Sequence, residues 1–391
     1  MARPNRTMAT VVGMTIASYL SLSLAAVAQP APGGPGGPPP EDTTGTTERL
    51  GDTSILMGSV QIPASVGECG TDAGFTRLLC LANLLKSGAS DEILEYIQLD
   101  YSVAEAQNWS NLPAGAFPAR PGVFLGELSV EQRGIVKAIL MEVASLTANE
   151  GYDEMEQTLN ADDYIGSIST DYGVGYASYN TKFAFLGTPA ETGTWQIYYG
   201  GHHFAFTNTY SDGVLSGATP SFRGIEPFPR FLMNGRENMP LMQEREAFTA
   251  LLRSLSDDQQ SAALLEGTYR DIIAGPQADD AIPDTQEGLS VSELSEDQQA
   301  LLLAAIETYV GDLNDADAAT YMAKYTAELS DTTLGYTGTT EVNTEDDYVR
   351  IHGPSLWIEF SLQSNKSTGE VGNHPHSVWR DQTDDYGGNT E

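Results

Sequence analysis

Basic residues are scarce in this chain: 19 Lys and Arg stand against 54 Asp and Glu, a formal charge of −35 over 391 residues. Such a surface repels nucleic acid and anionic lipid, so neither is expected as a partner. Self-repulsion of this size is easiest to tolerate where salt screens it. Cysteine is nearly absent, with only Cys69 and Cys80 in "GECGTDAGFTRLLC". In an exported chain that pair reads as a disulfide closing a short loop, the alternative being two buried thiols. Two thiolates with no nearby histidine give little support for a metal site of their own. Familiar catalytic signatures are missing too: there is no G-x-S-x-G, P-loop, G-x-G-x-x-G or H-E-x-x-H.

The N-terminus is the one long apolar stretch. Arg3 and Arg6 precede an apolar run from about Met8 to Ala26, and Ala26-Val27-Ala28 has the small-x-small pattern of a signal-peptidase site. Residues 1–28 therefore read as a cleaved export signal rather than an anchor. The run is short and broken by Ser, and Gln29-Pro30 ends it. The expected location is the periplasm or the exterior, with no stable membrane insertion after cleavage. Residues 29–54, rich in Pro, Gly and Thr, read as a linker unable to bury enough apolar surface to order itself. Residues 55–391 remain as a single large domain.

Within that domain Ser-x-x-Gln recurs before apolar runs, at Ser129/Gln132, Ser256/Gln259 and Ser295/Gln298. Each reads as a capping box, in which the Ser accepts from the N3 amide and the Gln reaches back to the cap. Their irregular spacing argues for three well-started helices rather than a repeat array. Further helices are predicted at 73–87, 90–98, 242–254 and 315–329, with a loop at 274–288. Aromatic and β-branched stretches predict strands within about 164–209 and 332–379, with Ser211-Asp212-Gly213 as a turn. The expected class is α+β, helical segments on a mainly antiparallel sheet.

Histidine is the informative scarcity. The chain has five, and four fall in two short motifs: His202 and His203 in "YYGGHHFAFTN", His374 and His376 in "NHPHSVWRDQTDDYG". In a strand His374 and His376 share a face, one pleat repeat apart, and two imidazoles so placed reach one ion. His202 and His203 in a strand would point to opposite faces, so one is expected in the site, with His203 slightly favoured because His202 would share its face with Phe204 and Phe206. Gly200 and Gly201 suggest a bulge that re-aims a ring. His352, before Gly353-Pro354, reads as a turn or strand-end residue. Arg223 and Glu226, in "PSFRGIEPFPR", either line a cleft or form an internal ion pair. Paired carboxylates such as Asp162-Asp163 and Asp346-Asp347 read as solvated surface.

The reading is a metal-dependent enzyme, a hydrolase or one using oxygen chemistry, acting on a small-molecule or peptide substrate. Its Zn, Fe or Cu would be held by His374, His376 and one of His202 and His203. Asp381 or Glu226 would serve as extra ligand or general base, and Arg380 would bind a carboxylate or developing anion. Metal-free hydrolysis with a His base is a weaker variant. The competing reading is a non-catalytic periplasmic binding or assembly protein with a structural histidine network.

The motifs "AGFTRLLCLAN", "YIQLDYS", "NWSNLP", "FLGTP…TWQIYYGGHHFAFTN", "PSFRGIEP", "GPSLWIEFSLQ" and "NHPHSVWRDQTDDYG" occur here in order. Together they make residues 67–387 resemble a bacterial family catalogued as domain of unknown function 3500. The resemblance implies that the two histidine motifs belong together and names no reaction.

Overall fold

Three helices begin where the capping boxes lie. In α4 (Val130–Val143), α7 (Asp257–Ala263) and α8 (Glu296–Val310) the Ser hydroxyl accepts from the N3 amide and the N3 Gln accepts from the cap amide. These ends lie within a computed structural model that describes residues 54–168, 175–364 and 374–388. The predicted signal at 1–28 and all but the last residue of the predicted linker at 29–54 lie outside the described residues. Among those residues no helix is long and apolar enough to cross a membrane.

Before α4 come α1 (Phe75–Ser87), α2 (Asp91–Ile97), β1 (Gln98–Leu99), the short α3 (Val103–Ala106) and β2 (Val123–Phe124). After it come α5 (Gly151–Ile168), β3 (Lys182–Leu186), β4 (Thr194–Gly201), β5 (Phe204–Ser211), β6 (Val214–Gly217) and β7 (Ser221–Gly224). A small hairpin, β8 (Phe231–Met233) and β9 (Arg236–Asn238), leads to α6 (Met242–Ser254) and α7. β10 (Leu289–Ser290), α8 and α9 (Asp315–Ala327) precede β11 (Thr333–Thr337), β12 (Tyr348–His352), β13 (Leu356–Gln363) and β14 (His374–Asp381).

Among the described residues twelve strands form one sheet in the order β1-β3-β4-β5-β7-β14-β13-β12-β11-β10, with β2 on β3 and β6 on β5. All pairs are antiparallel except β1 with β3. The α+β expectation holds. The turn at Asp212-Gly213 is also where it was expected, between β5 and β6, with both residues at positive φ. A correction concerns residues 164–168, expected as strand, which end α5. That helix has 15 of its 18 residues buried, including Glu154, Gln157, Asn160, Asp162 and Asp163. With polar side chains buried on every side it shows no apolar stripe to read.

The two halves repeat one another. β2 pairs β3 as β10 pairs β11. Gln132 Nε2 donates to Gly88 O at the end of α1 (3.2 Å), as Gln298 Nε2 donates to Ser254 O at the end of α6 (2.8 Å). Ser129 and Ser295 thus hold equivalent places, while Ser256 matches the Ser90 cap of the equally long α2. β7 and β14 meet at the centre of the sheet. In the first half Gly201 opposes Phe204 and leaves His202-His203 as the hairpin turn. In the second, Gly353 N bonds Leu356 O, 2.7 Å, and leaves Pro354-Ser355 there. Gly224 N reaches His203 O (2.7 Å) just as Gln382 N reaches Ser355 O (2.8 Å). Only one of the two equivalent turns carries imidazoles.

The sheet buries two cores. The larger, on the helix-covered face, includes Trp195, Phe206, Ile358, Phe360 and Trp379. The smaller holds Trp109, Phe222, Ile272, Val378 and Tyr386. Phe222 and Val378 sit opposite each other across β7 and β14, and the histidine motifs lie further along the same face.

Candidate metal centre

His202 and His203 are not in a strand, as expected, but form the turn that joins β4 to β5. His203 takes φ +59°, a left-handed conformation in which His is enriched. Its amide donates to Asn111 O (3.2 Å) while its carbonyl accepts from Gly224 N (2.7 Å). The turn stacks the two rings, centroids 3.7 Å apart, instead of sending them to opposite faces.

His374 and His376 stand at the start of β14, where His376 opposes Gly224 on β7 and His374 opposes Gln363 on β13. They share a face, as period-two spacing requires. A Cβ on Gly224 would lie 2.8 Å from His376 Cδ2 and 3.1 Å from His203 Cδ2, so the missing side chain makes room for both rings. His374 Nε2 is 2.9 Å from His203 Nε2. One ring nitrogen each from His203, His374 and His376 lies within 4.8 Å of the others, and all three residues are buried. The structure therefore brings both predicted motifs together, with His203 as the member of the adjacent pair that joins the trio.

Two carboxylates steady this cluster. Asp271 Oδ1 lies 2.9 Å from His376 Nδ1. A carboxylate accepts only, so the proton belongs on Nδ1 and Nε2 keeps a lone pair. Gln363 Nε2 lies 2.6 Å from the same Nδ1, and with the proton there the amide takes the flipped orientation that presents its oxygen instead. His376 Nε2 is buried and without a hydrogen-bond partner among the described residues. Asp162 Oδ1, from α5, lies 2.5 Å from His202 Nδ1. Asp162 and Asp163 were expected on the solvated surface. Instead both are buried, and Asp163 binds Ser54, Ser178 and Asn234. Asp347 departs from that expectation as well: it is buried and caps the 339–344 turn through Thr339, Asn343 and Thr344.

A cavity of about 490 Å³ opens onto the cluster, lined by His202, His203, His374 and His376 together with Glu226, Asp271, Tyr176 and the 110–113 and 272–278 segments. One wall is pinned from below. Glu359, fully buried, accepts from Ile273 N (2.7 Å), Ala274 N (2.9 Å), Tyr348 Oη (2.7 Å) and Trp357 Nε1 (2.8 Å). Burial pushes its carboxyl above the usual carboxylate range, and these four donors oppose the rise.

Glu226 lies in the cavity wall, as one reading of its loop expected, while Arg223 forms the ion pairs of the other, with Glu154 (2.8 Å) and Asp312 on the helix face. Arg380 and Asp381 are not brought to the imidazoles. Arg380 shares the face of His376 four residues on, about 13 Å along the strand at a rise near 3.3 Å per residue. Its guanidinium is committed to Asp385 (2.7 Å), Asp279 (2.5 Å) and Ala274 O. Asp381 points to the other face, where it binds Lys324 Nζ and Tyr325 Oη, both at 2.8 Å. By strand pairing it is the counterpart of Arg223 in the second half. His352 ends β12, buried edge-on to Trp357, and burial with nearby Arg350 lowers its pKa to about 4. Asp271, Asp162 and Gln363 were not singled out as site residues from sequence. Asp162 carried only its place in a doubled carboxylate, and Asp271 and Gln363 carried no signal.

Cys69 and Cys80 form a disulfide. Residues 71–388 match the family model described as Protein of unknown function (DUF3500), and the chain belongs to that family. No curated protein and no solved structure matches it.

Proposed function

We propose that this family member is an exported metal-dependent enzyme in which His203, His374 and His376 hold one divalent transition metal at the floor of the cavity. The observation that carries the reading is the meeting of three buried imidazoles from segments 171 residues apart. The carboxylate behind His376 supports it, because metal-bound histidines commonly give their other nitrogen to such a group. His376 Nε2, buried and without a partner, supports it too, since a buried polar atom left so is costly unless something binds there.

At metal–nitrogen bonds of about 2.1 Å, a 2.9 Å separation between two ligand nitrogens corresponds to an angle near 90°, whereas a tetrahedral angle needs about 3.4 Å. A shift of about 0.5 Å on binding separates the two angles, so Zn, Fe and Cu, all of which accept imidazole nitrogen, fit the trio. A bound ion would supply Lewis acidity or activate a water or oxygen. Around it the chain supplies the second carboxylate–imidazole pair, Asp162 with His202, and Glu226 in the wall. Export is supported by the disulfide and by the N-terminal sequence pattern.

The test is elemental analysis of protein purified without added metal, beside His374→Ala/His376→Ala. Near-stoichiometric Fe, Cu or Zn that disappears in a folded double variant is expected. A wild type that stays empty on titration with all three ions defeats the reading. It would favour a non-catalytic binding protein, in which the His203–His374 contact is a structural hydrogen bond.

A further inference from the structure

We propose that the small molecule taken by this cavity is an organic cation, an amine with an apolar body, whose charge is held by Asp271. The inference rests on the cavity being where substrate binds, and not on which ion the imidazoles hold.

Charge is the first argument. Among the described residues the lining contains two carboxylates, Glu226 and Asp271, and no Lys or Arg. Arg270, next to Asp271 in the chain, is exposed and lies outside the lining, and three cations behind the walls are spent elsewhere. Arg120, buried, donates to Ser110 O (2.9 Å) and Leu112 O. Lys182 donates to Arg120 O (2.8 Å). Arg380 is locked between Asp279 and Asp385. An anionic ligand would lose hydration without finding a side-chain counter-charge; the divalent ion proposed above would be the positive group on the cavity floor, and the charges of Asp271 and Glu226 offset it.

A cation meets the opposite situation. The Asp271 side chain is 47% exposed. Its Oδ1 is used by His376 Nδ1 and by Ile272 N, and Oδ2 makes no hydrogen bond within the described residues. Tyr176, edge-on to His202 with ring centroids 5.0 Å apart, adds aromatic surface to the same cavity. Leu112, Pro113, Ile272, Ile273 and Pro276 give the wall apolar surface, interspersed with the polar Ser110, Asn111, Gln277 and Gln363. The volume, about 490 Å³, falls in the range of small-molecule sites. The overall charge of −35 raises the local concentration of cations and lowers that of anions.

The experiment compares two probes that share a benzyl- or phenyl-sized body and carry opposite charge, neither an amine that would itself ligate a metal: benzyltrimethylammonium and benzenesulfonate. Binding is measured by calorimetry on the full chain, metal-free and again after metal loading, at an ionic strength of about 0.15 M to screen the general surface. The expected result is one-to-one binding of the ammonium by the metal-free chain, at least about tenfold tighter than the sulfonate and weakened at least about tenfold in Asp271→Asn, a tenfold change being one decade of affinity. The charge of a loaded ion narrows that preference without reversing it. Sulfonate binding as tight as the ammonium in either form overturns the proposal. So does ammonium binding that is multivalent or unchanged in Asp271→Asn, which would assign it to the acidic surface. A protein that binds no metal yet prefers the ammonium one-to-one leaves this inference standing while the metal reading falls.

Discussion

Asp271 and His376 lie 105 residues apart in the chain, yet Oδ1 of one is 2.9 Å from Nδ1 of the other. The contact sets which nitrogen of His376 carries a proton, and therefore which keeps the lone pair that a metal needs. Replacing Asp271 by Asn keeps the shape and removes the charge. Loss of such an outer carboxylate typically lowers metal affinity by roughly 10–100-fold. Competition titration of metal against a chelating dye should show that loss with the fold intact. An unchanged affinity would mean that His376 is held by Gln363 alone or binds no ion.

The adjacent pair should split in function. His203 contributes a nitrogen to the trio, whereas His202 is tied through Nδ1 to Asp162. His203→Ala is expected to abolish stoichiometric metal, and His202→Ala to retain it at reduced affinity, because His202 stacks on its neighbour 3.7 Å away. Elemental analysis of the two variants checks this. Equal loss in both would show that stacking, not ligation, is what the site requires.

How legible the site was follows from how local its signals are. The doubled histidines stand out because the residue is rare, and the same-face relation of His374 and His376 follows from strand period alone. The outcome for His202 and His203 depended on their filling a two-residue turn, which Gly201 opposite Phe204 closes and sequence spacing did not distinguish from a strand. Arg380 and Asp381 were drawn into the site by closeness in sequence. Along β14 they are four and five residues from His376, and Asp381 has the wrong parity. Asp271 lies in a segment with no periodicity. Its role depends on Glu359, on β13, and Arg380, on β14, which hold that segment against the sheet through Ile273 and Ala274. In the fold, capped helices such as α8 were readable from Ser295 and Gln298. α5 was not, since burying Glu154, Asn160 and Asp163 removes the amphipathic stripe on which such reading depends.

Glu359 should control the wall of the cavity. It satisfies the amides of Ile273 and Ala274 and two side-chain donors from full burial. Glu359→Gln sets an NH₂ group against a ring of donors, and an unsatisfied buried donor costs about 1–3 kcal/mol. Hydrogen exchange at 272–278 should then accelerate by roughly ten- to a hundredfold, since each 1.4 kcal/mol of lost local stability is a decade, while α4 and α8 stay protected. Metal affinity should fall together with the Asp271 contact. Unchanged exchange at Ile273 and Ala274 would show that Arg380, on Ala274 O, and Gln277, which donates to Trp109 O, hold the wall without Glu359.

Behind the sheet, Glu150, Glu154, Glu244 and Asp312 gather around Arg223, more carboxylates than one guanidinium neutralises. Glu244 is fully buried, and neither of its oxygens has a hydrogen-bond partner among the described residues. Burial first, and then the neighbouring Glu154 and Glu150, raise its pKa well above 4.5, against the pull of Arg223. Glu150 is pushed up to about 8, again by burial first and then by Glu154. A carboxyl that holds its proton more tightly when folded than when unfolded makes the folded state the greater proton binder, so its contribution to stability falls as pH rises. The window runs from about 4.5, where the unfolded groups titrate, to about 8, where Glu150 does. Glu244→Gln keeps the shape of the protonated acid and removes its titration. The variant should therefore melt within a degree or two of wild type near pH 4.5, where wild-type Glu244 is already neutral, and above it by several degrees near pH 8. Melting curves of both proteins across that window decide the matter. A shift of the same size at both ends, or a variant less stable near pH 8, would mean that Glu244 is ionised in the folded protein and that Arg223 stabilises it as a charge.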